Sequence, residues 1–256
     1  YQIADKCIYF SRPPPKSPRV VSHVSLEYLF RCLPAKQVVL LWSAAMLEKK
    51  LLLVSTRKSL LAHAAMALEG LLFPFKWQQV LIPVLPKALK SYVETIFPYI
   101  IGVHPGMLDH YTEVPYDTAK VDLDSGTLEL PDFSPLPEKI YKRLLSRLQV
   151  FGEIYQSEDH LRDNADEAFN PTQEPSKFNP ILVRDAFLEA QTQLLKGYKK
   201  YFKLPEESAR ARAIHFFNTW GFLSKHKALK PNHFLHKLTE TSMFANFIER
   251  RFVEPS

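Results

Sequence analysis

Three short segments, residues 51–54, 79–82 and 99–103, are almost devoid of polar side chains, and stretches with helical character separate each from the next. A strand that is apolar on both faces is stable only where both faces are covered, as in a parallel sheet with helices packed against it. Residues 59–72 offer such a cover, because Leu60, Leu61, Ala64, Ala65, Leu68 and Leu71 recur at helical spacing. Residues 35–49 read as a second helix. Val38, Val39, Leu40, Leu41, Trp42, Ala45, Met46 and Leu47 surround it instead of forming one stripe, so it must be buried. The expected class is α/β: a layered, mostly parallel central sheet flanked by helices.

Around this block the reading is plainer. Residues 1–10 alternate loosely and suggest a strand, and the proline-rich residues 12–18 force an extended, donor-poor connector. Ser25 is placed to cap a short helix that stops before Pro34. Pro83 and Pro86 end the second strand and open a short helix through Ile96. Residues 121–123 and 127–130 flank Asp124, Ser125 and Gly126 as a hairpin, followed by a helix over 136–155 that packs back on the sheet.

Charge divides the chain into blocks. Residues 1–103 carry 13 Lys and Arg against 5 acids, residues 104–176 carry 6 against 15, and residues 177–256 carry 14 against 7. The acidic, apolar-poor stretch broken by Pro171 and Pro175 reads as a linker. Beyond it the pattern is helical only, over 180–202, 206–220 and 232–252. The expected organisation is an α/β module over 1–155, an acidic linker over 156–178 and a smaller all-helical domain over 179–256.

The chain holds seven glycines, with no GxGxxG after a strand, no phosphate-wrapping GxxxxGK[ST] and no GxSxG elbow. Cys7 and Cys32 give neither a disulfide framework nor a ligand spacing, which fits a reducing compartment. No apolar run reaches the roughly 18–20 residues that cross a bilayer. These features point to a cytoplasmic protein without metal or cofactor. Its basic tail suits peripheral contact with vesicle or endosomal membranes, although solvated helix faces explain the same charges, and no nucleic-acid partner is expected. His104, His110, Asp109 and Asp117 follow no ligand pattern, and His104 is expected to donate to backbone in the turn after a strand. His226, His233 and His236 read as exposed helix residues. Glu48 with Lys49 and Lys50 at a helix end is expected to pair locally or to complement the helix dipole, which favours cations there.

One long ordered block is more specific. SAAMLEKKLLLVSTRKSLLAHAAMALEGLLFPFKWQQVLIPVLP over 43–86, followed by PYIIGVHPGMLD over 98–109, closely resembles the central module of DENN-domain proteins. FNPILVRDAFLEAQTQLLKGYKKYF over 178–202 resembles, more weakly, the downstream DENN module. The resemblance implies a guanine-nucleotide exchange factor for a Rab-family small GTPase, or the GTPase-binding part of one. Such a protein promotes GDP release by stabilising the nucleotide-free state, and it carries no catalytic side chain of its own. By linkage, about 4 kcal/mol of preference for the empty GTPase loosens GDP about 10³-fold. The resemblance also implies an N-terminal longin-like lobe, which is expected to be absent because the chain starts at what looks like the first central strand.

Within this frame the candidate GTPase-binding residues are Lys76 and Gln78, beside Phe73, Phe75 and Trp77, which are expected to be core plugs, and His104, Met107 and Asp109 in the turn after the third strand. The competing reading is a non-catalytic adaptor that holds a small GTPase or a DENN-like partner subunit without exchange. Arg57, after the first core strand, is the residue to test for support of GTP hydrolysis.

Overall fold

Strand β3 (Lys50–Val54) is buried along its whole length. In the computed structural model, which describes residues 2–3, 6–7, 23–108, 112–156, 178–202 and 217–253, it occupies the middle of a five-stranded sheet. The order is β4 (Val80–Ile82), β5 (Tyr99–Val103), β3, β6 (Thr118–Asp122) and β7 (Thr127–Glu129). β4, β5, β3 and β6 run parallel, and β7 returns antiparallel to β6. The α/β class with a helical C-terminal part is as the apolar strands require. A further two-stranded pair, β1 (Gln2–Ile3) with β2 (Lys6–Cys7), replaces the single N-terminal strand. The proline-rich residues 12–18 lie outside the described residues.

Alternation along β3 divides the core in two. Leu51 and Leu53 join the large cluster that also takes Ile100, Ala119 and Val121, together with the buried faces of α1 (His23–Cys32), α2 (Ala35–Met46) and α3 (Lys58–Leu71). Leu52 and Val54 point the other way and meet Tyr99, Ile101, Val103, Leu85 and Val93. Among the described residues that second layer contains no α-helical residue: it is closed by the 3₁₀ helix Lys87–Glu94 and by Met107, Leu108 and Val114. Gly102 allows this closure. A Cβ there would lie 2.0 Å from the carbonyl oxygen of Pro83, where the chain leaving β4 crosses β5 and Leu85 N–H donates to Gly102 O at 2.7 Å.

Helix ends differ from the sequence reading for identifiable reasons. α1 begins before Ser25, which therefore sits inside the helix and not at its cap. The 180–202 segment is broken: α5 (Pro180–Leu194) gives way to Gly197 at φ +77° and a 3₁₀ turn, Tyr198–Tyr201. Residues 203–216, and with them most of the predicted 206–220 helix, lie outside the described residues, and the helix that follows is α6 (Thr219–Lys225). The 232–252 segment splits into α7 (Phe234–Thr239) and α8 (Ser242–Val253). Thr241 causes the split, its hydroxyl accepting from Phe244 N–H at 3.1 Å to start a new helix. α4 (Glu138–Gln156) forms where the sequence placed a helix over 136–155, but it packs on the helices α2 and α5 instead of directly on the sheet, because α2 already covers that face.

Buried polar contacts tie the helical C-terminal part to the helices that cover the sheet. Trp42 Nε1 and Gln191 Nε2 both donate to Leu71 O, at 3.1 and 3.0 Å, while Phe187 meets the Trp42 ring edge-on at 5.2 Å. Glu48 does not pair with Lys49 or Lys50. It stands just past α2 at φ +49°, and its carboxylate accepts from Ser242 N–H at 3.0 Å and Met243 N–H at 2.9 Å, capping α8 from across the molecule. Lys50 is instead paired with Asp117 at 2.7 Å.

Glu48→Gln keeps the side-chain shape and removes the charge from this cap. It is expected to cost about 1 kcal/mol in urea unfolding. Amide exchange should quicken at Ser242 and Met243, and unchanged exchange there would refute the capping role.

Candidate functional site

Phe75 and Trp77 are buried, and Lys76 and Gln78 between and after them are exposed. The alternation arises because the chain leaving α3 must plug the core twice before entering β4. Phe75 packs against Phe247 of α8 at 5.1 Å, and Trp77 Nε1 donates to Val80 O at 3.1 Å. Phe73 is half-buried against α5. Gln78 Nε2 folds back to Lys76 O at 2.8 Å, and Arg250 of α8 donates to Pro74 O at 3.3 Å. The corner is thus held from both sides and displays Lys76 outward.

His104 and Met107 lie elsewhere. β4 pairs with β5 so that Val80 stands beside Tyr99, which puts Lys76 and Gln78 before the N-terminal edge of the sheet. His104 leaves the C-terminal end of β5, five residues further along, roughly 16 Å at the rise of a strand. The two pairs therefore face opposite ends of the sheet. His104 Nδ1 accepts from Gly106 N–H at 3.1 Å, capping the 3₁₀ turn Pro105–Met107, so its backbone role is that of an acceptor and not the expected donor. Met107 is half-buried against the second core layer. Asp109 and His110 lie outside the described residues.

At that same C-terminal end the structure builds a polar cluster that pattern reading passed over. Asp124, in the turn between β6 and β7, accepts from Ser55 Oγ at 2.6 Å, Thr56 N–H at 2.7 Å and Thr56 Oγ1 at 2.9 Å. Arg57 Nη2 lies 3.7 Å from the same carboxylate, so the arginine singled out for a GTPase role is engaged with this turn. Burial works to raise the Asp124 carboxyl, but the Ser55 and Thr56 hydrogen bonds and the Arg57 guanidinium outweigh it and hold the group below its ordinary value. The signal was present as a strand-ending Ser-Thr pair and an aspartate-rich turn. What the sequence did not show is that β6 lies directly beside β3, with Val54 opposite Asp122.

The three C-terminal histidines take separate backbone roles instead of one exposed face. His226 Nε2 lies 3.0 Å from Lys196 O, His233 Nδ1 accepts from Leu235 N–H to start α7, and His236 Nδ1 lies 3.1 Å from Leu229 O. Among the described residues no three His, Cys, Asp or Glu side chains gather as a metal group. No helix among them is long and apolar enough to cross a membrane.

Fold and surface together describe an α/β protein that offers rigid corners at the two ends of a parallel sheet. Residues 1–126 match the model of the DENN (AEX-3) domain, and this part of the chain belongs to the DENN domain family. Similarity to proteins of that name extends further. The chain is 28% identical to DENN domain-containing protein 2C of Mus musculus over 240 residues, 92% of this chain and 24% of that protein. It is 28% identical to DENN domain-containing protein 2B of Homo sapiens over 235 residues, 90% of this chain and 19% of that protein. It is also 38% identical to Elicitor of plant defense protein 1 of Fusarium odoratissimum over 128 residues, 50% of this chain and 14% of that protein. The chain thus spans about a quarter or less of the length of these relatives.

Asp124→Asn is expected to cost about 1 kcal/mol at neutral pH, allowing for solvent screening at this partly exposed site. Because the folded-state carboxyl sits below its unfolded value, its contribution is present above the usual carboxylate range and is lost as pH falls through the folded value. The stability gap between wild type and variant, followed by urea unfolding across acid pH, should therefore narrow as pH falls. A gap that is constant or widens would contradict the charge-based account.

Proposed function

We propose that this chain is the GTPase-binding part of a guanine-nucleotide exchange factor for a Rab-family small GTPase. The supporting observation is the DENN (AEX-3) match over residues 1–126, together with similarity to two DENN domain-containing proteins over nine-tenths of the chain. On this reading residues 1–155 act as the central DENN module, 156–178 as a tether and 179–256 as the downstream module, working at the cytoplasmic side of vesicle or endosomal membranes.

Exchange of this kind needs a surface that prefers the GTPase conformation whose switch segments have released Mg²⁺ and GDP. A partner that binds the empty state more tightly weakens nucleotide affinity by the same factor, with no bond made or broken by the exchange factor. The corner at Lys76 and Gln78 suits this task, because its anchors Phe75 and Trp77 are fixed in the core while the polar side chains remain in water. His104 and Met107, at the far end of the sheet, form a second contact in the same reading, reached by a different lobe of the complex.

The purified chain should speed the loss of labelled GDP from at least one member of a Rab panel. Lys76→Glu, a change at an exposed position, should slow that release roughly tenfold, the effect of one lost charge contact of about 1.4 kcal/mol. No acceleration on any Rab, or a Lys76→Glu variant as active as wild type, counts against the assignment of function and of site respectively.

A further inference from the structure

Two turns of the helical part carry lysines and no carboxylate to offset them. Residues 196–202 and 217–236 hold six lysines, Lys196, Lys199, Lys200, Lys225, Lys227 and Lys230, and no Asp or Glu. The fold sets the two turns side by side. His226 Nε2 reaches Lys196 O at 3.0 Å, Asn218 N–H donates to Tyr201 O at 2.8 Å, and the Tyr201 and Phe222 rings meet edge-on at 5.7 Å. All six lysines are solvent-exposed. Of the acids flanking them in the chain, Glu189 is engaged by Arg143 and Arg147 and Glu240 is paired with Lys237 at 3.0 Å, while Glu206 and Glu207 lie outside the described residues.

Apolar side chains stand in water among these charges. On α6, Phe222 and Leu223 turn into the core while Trp220 is 70% exposed, and in the following turn Leu229 is 42% exposed. Trp220 and Ser224 are exposed one helical turn apart on α6, and exposed Lys225 closes the helix five residues after Trp220, about 8 Å along its axis, so the indole and the first of these cations stand on the same short element. The association of a protruding indole with lysines that have no ion pair among the described residues fits a bilayer interface, where Trp rests at headgroup level and Lys is drawn by anionic lipid. A polyanion in water rewards the lysines but leaves the indole and Leu229 exposed. The cations are also all lysines, point charges suited to a diffuse field, without the planar guanidinium forks that read phosphates in pairs.

We propose that this lysine and tryptophan face docks on an anionic lipid bilayer, inserting Trp220 and Leu229 into the headgroup region. The inference is independent of exchange activity and stands or falls separately from it.

The three tryptophans make the test direct. Trp42 is 0% exposed and Trp77 7% exposed, so a change of indole environment on binding reports Trp220. The chain is mixed with phosphatidylcholine vesicles and with vesicles containing about 30% phosphatidylserine, and flotation is measured alongside tryptophan emission and iodide quenching. Flotation should occur with the anionic vesicles alone, with a blue shift and protection from iodide, and should weaken as salt rises. The double variant Lys225→Glu, Lys227→Glu should lower partitioning at least about tenfold, and Trp220→Phe should abolish the spectral change while anionic vesicles still bind. Circular dichroism matching wild type would confirm that these surface changes leave the fold intact. Equal binding to both vesicle types, no binding to either, or an indole still open to iodide on bound protein would overturn the proposal. So would displacement from the vesicles by polyglutamate or RNA at equal charge, which would make the face a docking surface for a soluble polyanion.

Discussion

The carbonyl of Leu71, in the last turn of α3, accepts from Trp42 of α2 and Gln191 of α5 at once. A helix C-terminus leaves its last carbonyls without helical partners, and burying one without a donor costs several kcal/mol, on the order of a lost hydrogen bond or more. Here the two donors come from segments 29 and 120 residues away, so satisfying one atom fixes three helices relative to one another. The remaining geometry follows from that. The chain leaving α3 is directed toward α8, Phe75 reaches Phe247, and Glu48 caps α8 at the same junction. The helical C-terminal part is seated on the large core cluster, which includes buried side chains from Leu26 to Ile248.

How much of this could be read beforehand depended on the range of the interaction. β3, α3 and β5 were placed within a residue or two, because apolar runs and helical spacing are local properties of the chain. β6 was recognised only in its last residues, as part of a hairpin. Its alternation of buried and half-buried residues resembles an edge strand, yet it lies parallel to β3 and carries the sheet onward. Glu48 was misread for a related reason: a carboxylate beside two lysines suggests local pairing, and nothing nearby in the chain announces a helix start at Ser242. The breaks at Gly197 and Thr241 were missed because the apolar pattern continues through them.

The candidate surface residues show the same division. That Phe75 and Trp77 would be plugs and Lys76 would point outward was legible from position between a helix and a buried strand. That Lys76 and His104 belong to opposite ends of the sheet was not, since it requires the parallel pairing of Val80 with Tyr99. Asp124 shows how a turn acquires importance from topology: a hairpin residue in the sequence becomes, once β6 lies beside β3, the acceptor that pins the loop after the central strand.

Under the proposed function the chain would act by holding shape at exposed corners, and shape can drive nucleotide release only through unequal binding of two GTPase states. The most direct measurement is the dissociation constant of the chain for one responsive Rab, determined with the GTPase nucleotide-free and again with it saturated by GDP. The account predicts a preference for the empty form of about 10³-fold, equivalent to about 4 kcal/mol. Equal affinity for the two forms would contradict it and leave the chain as a holder of GTPases instead of an opener of them.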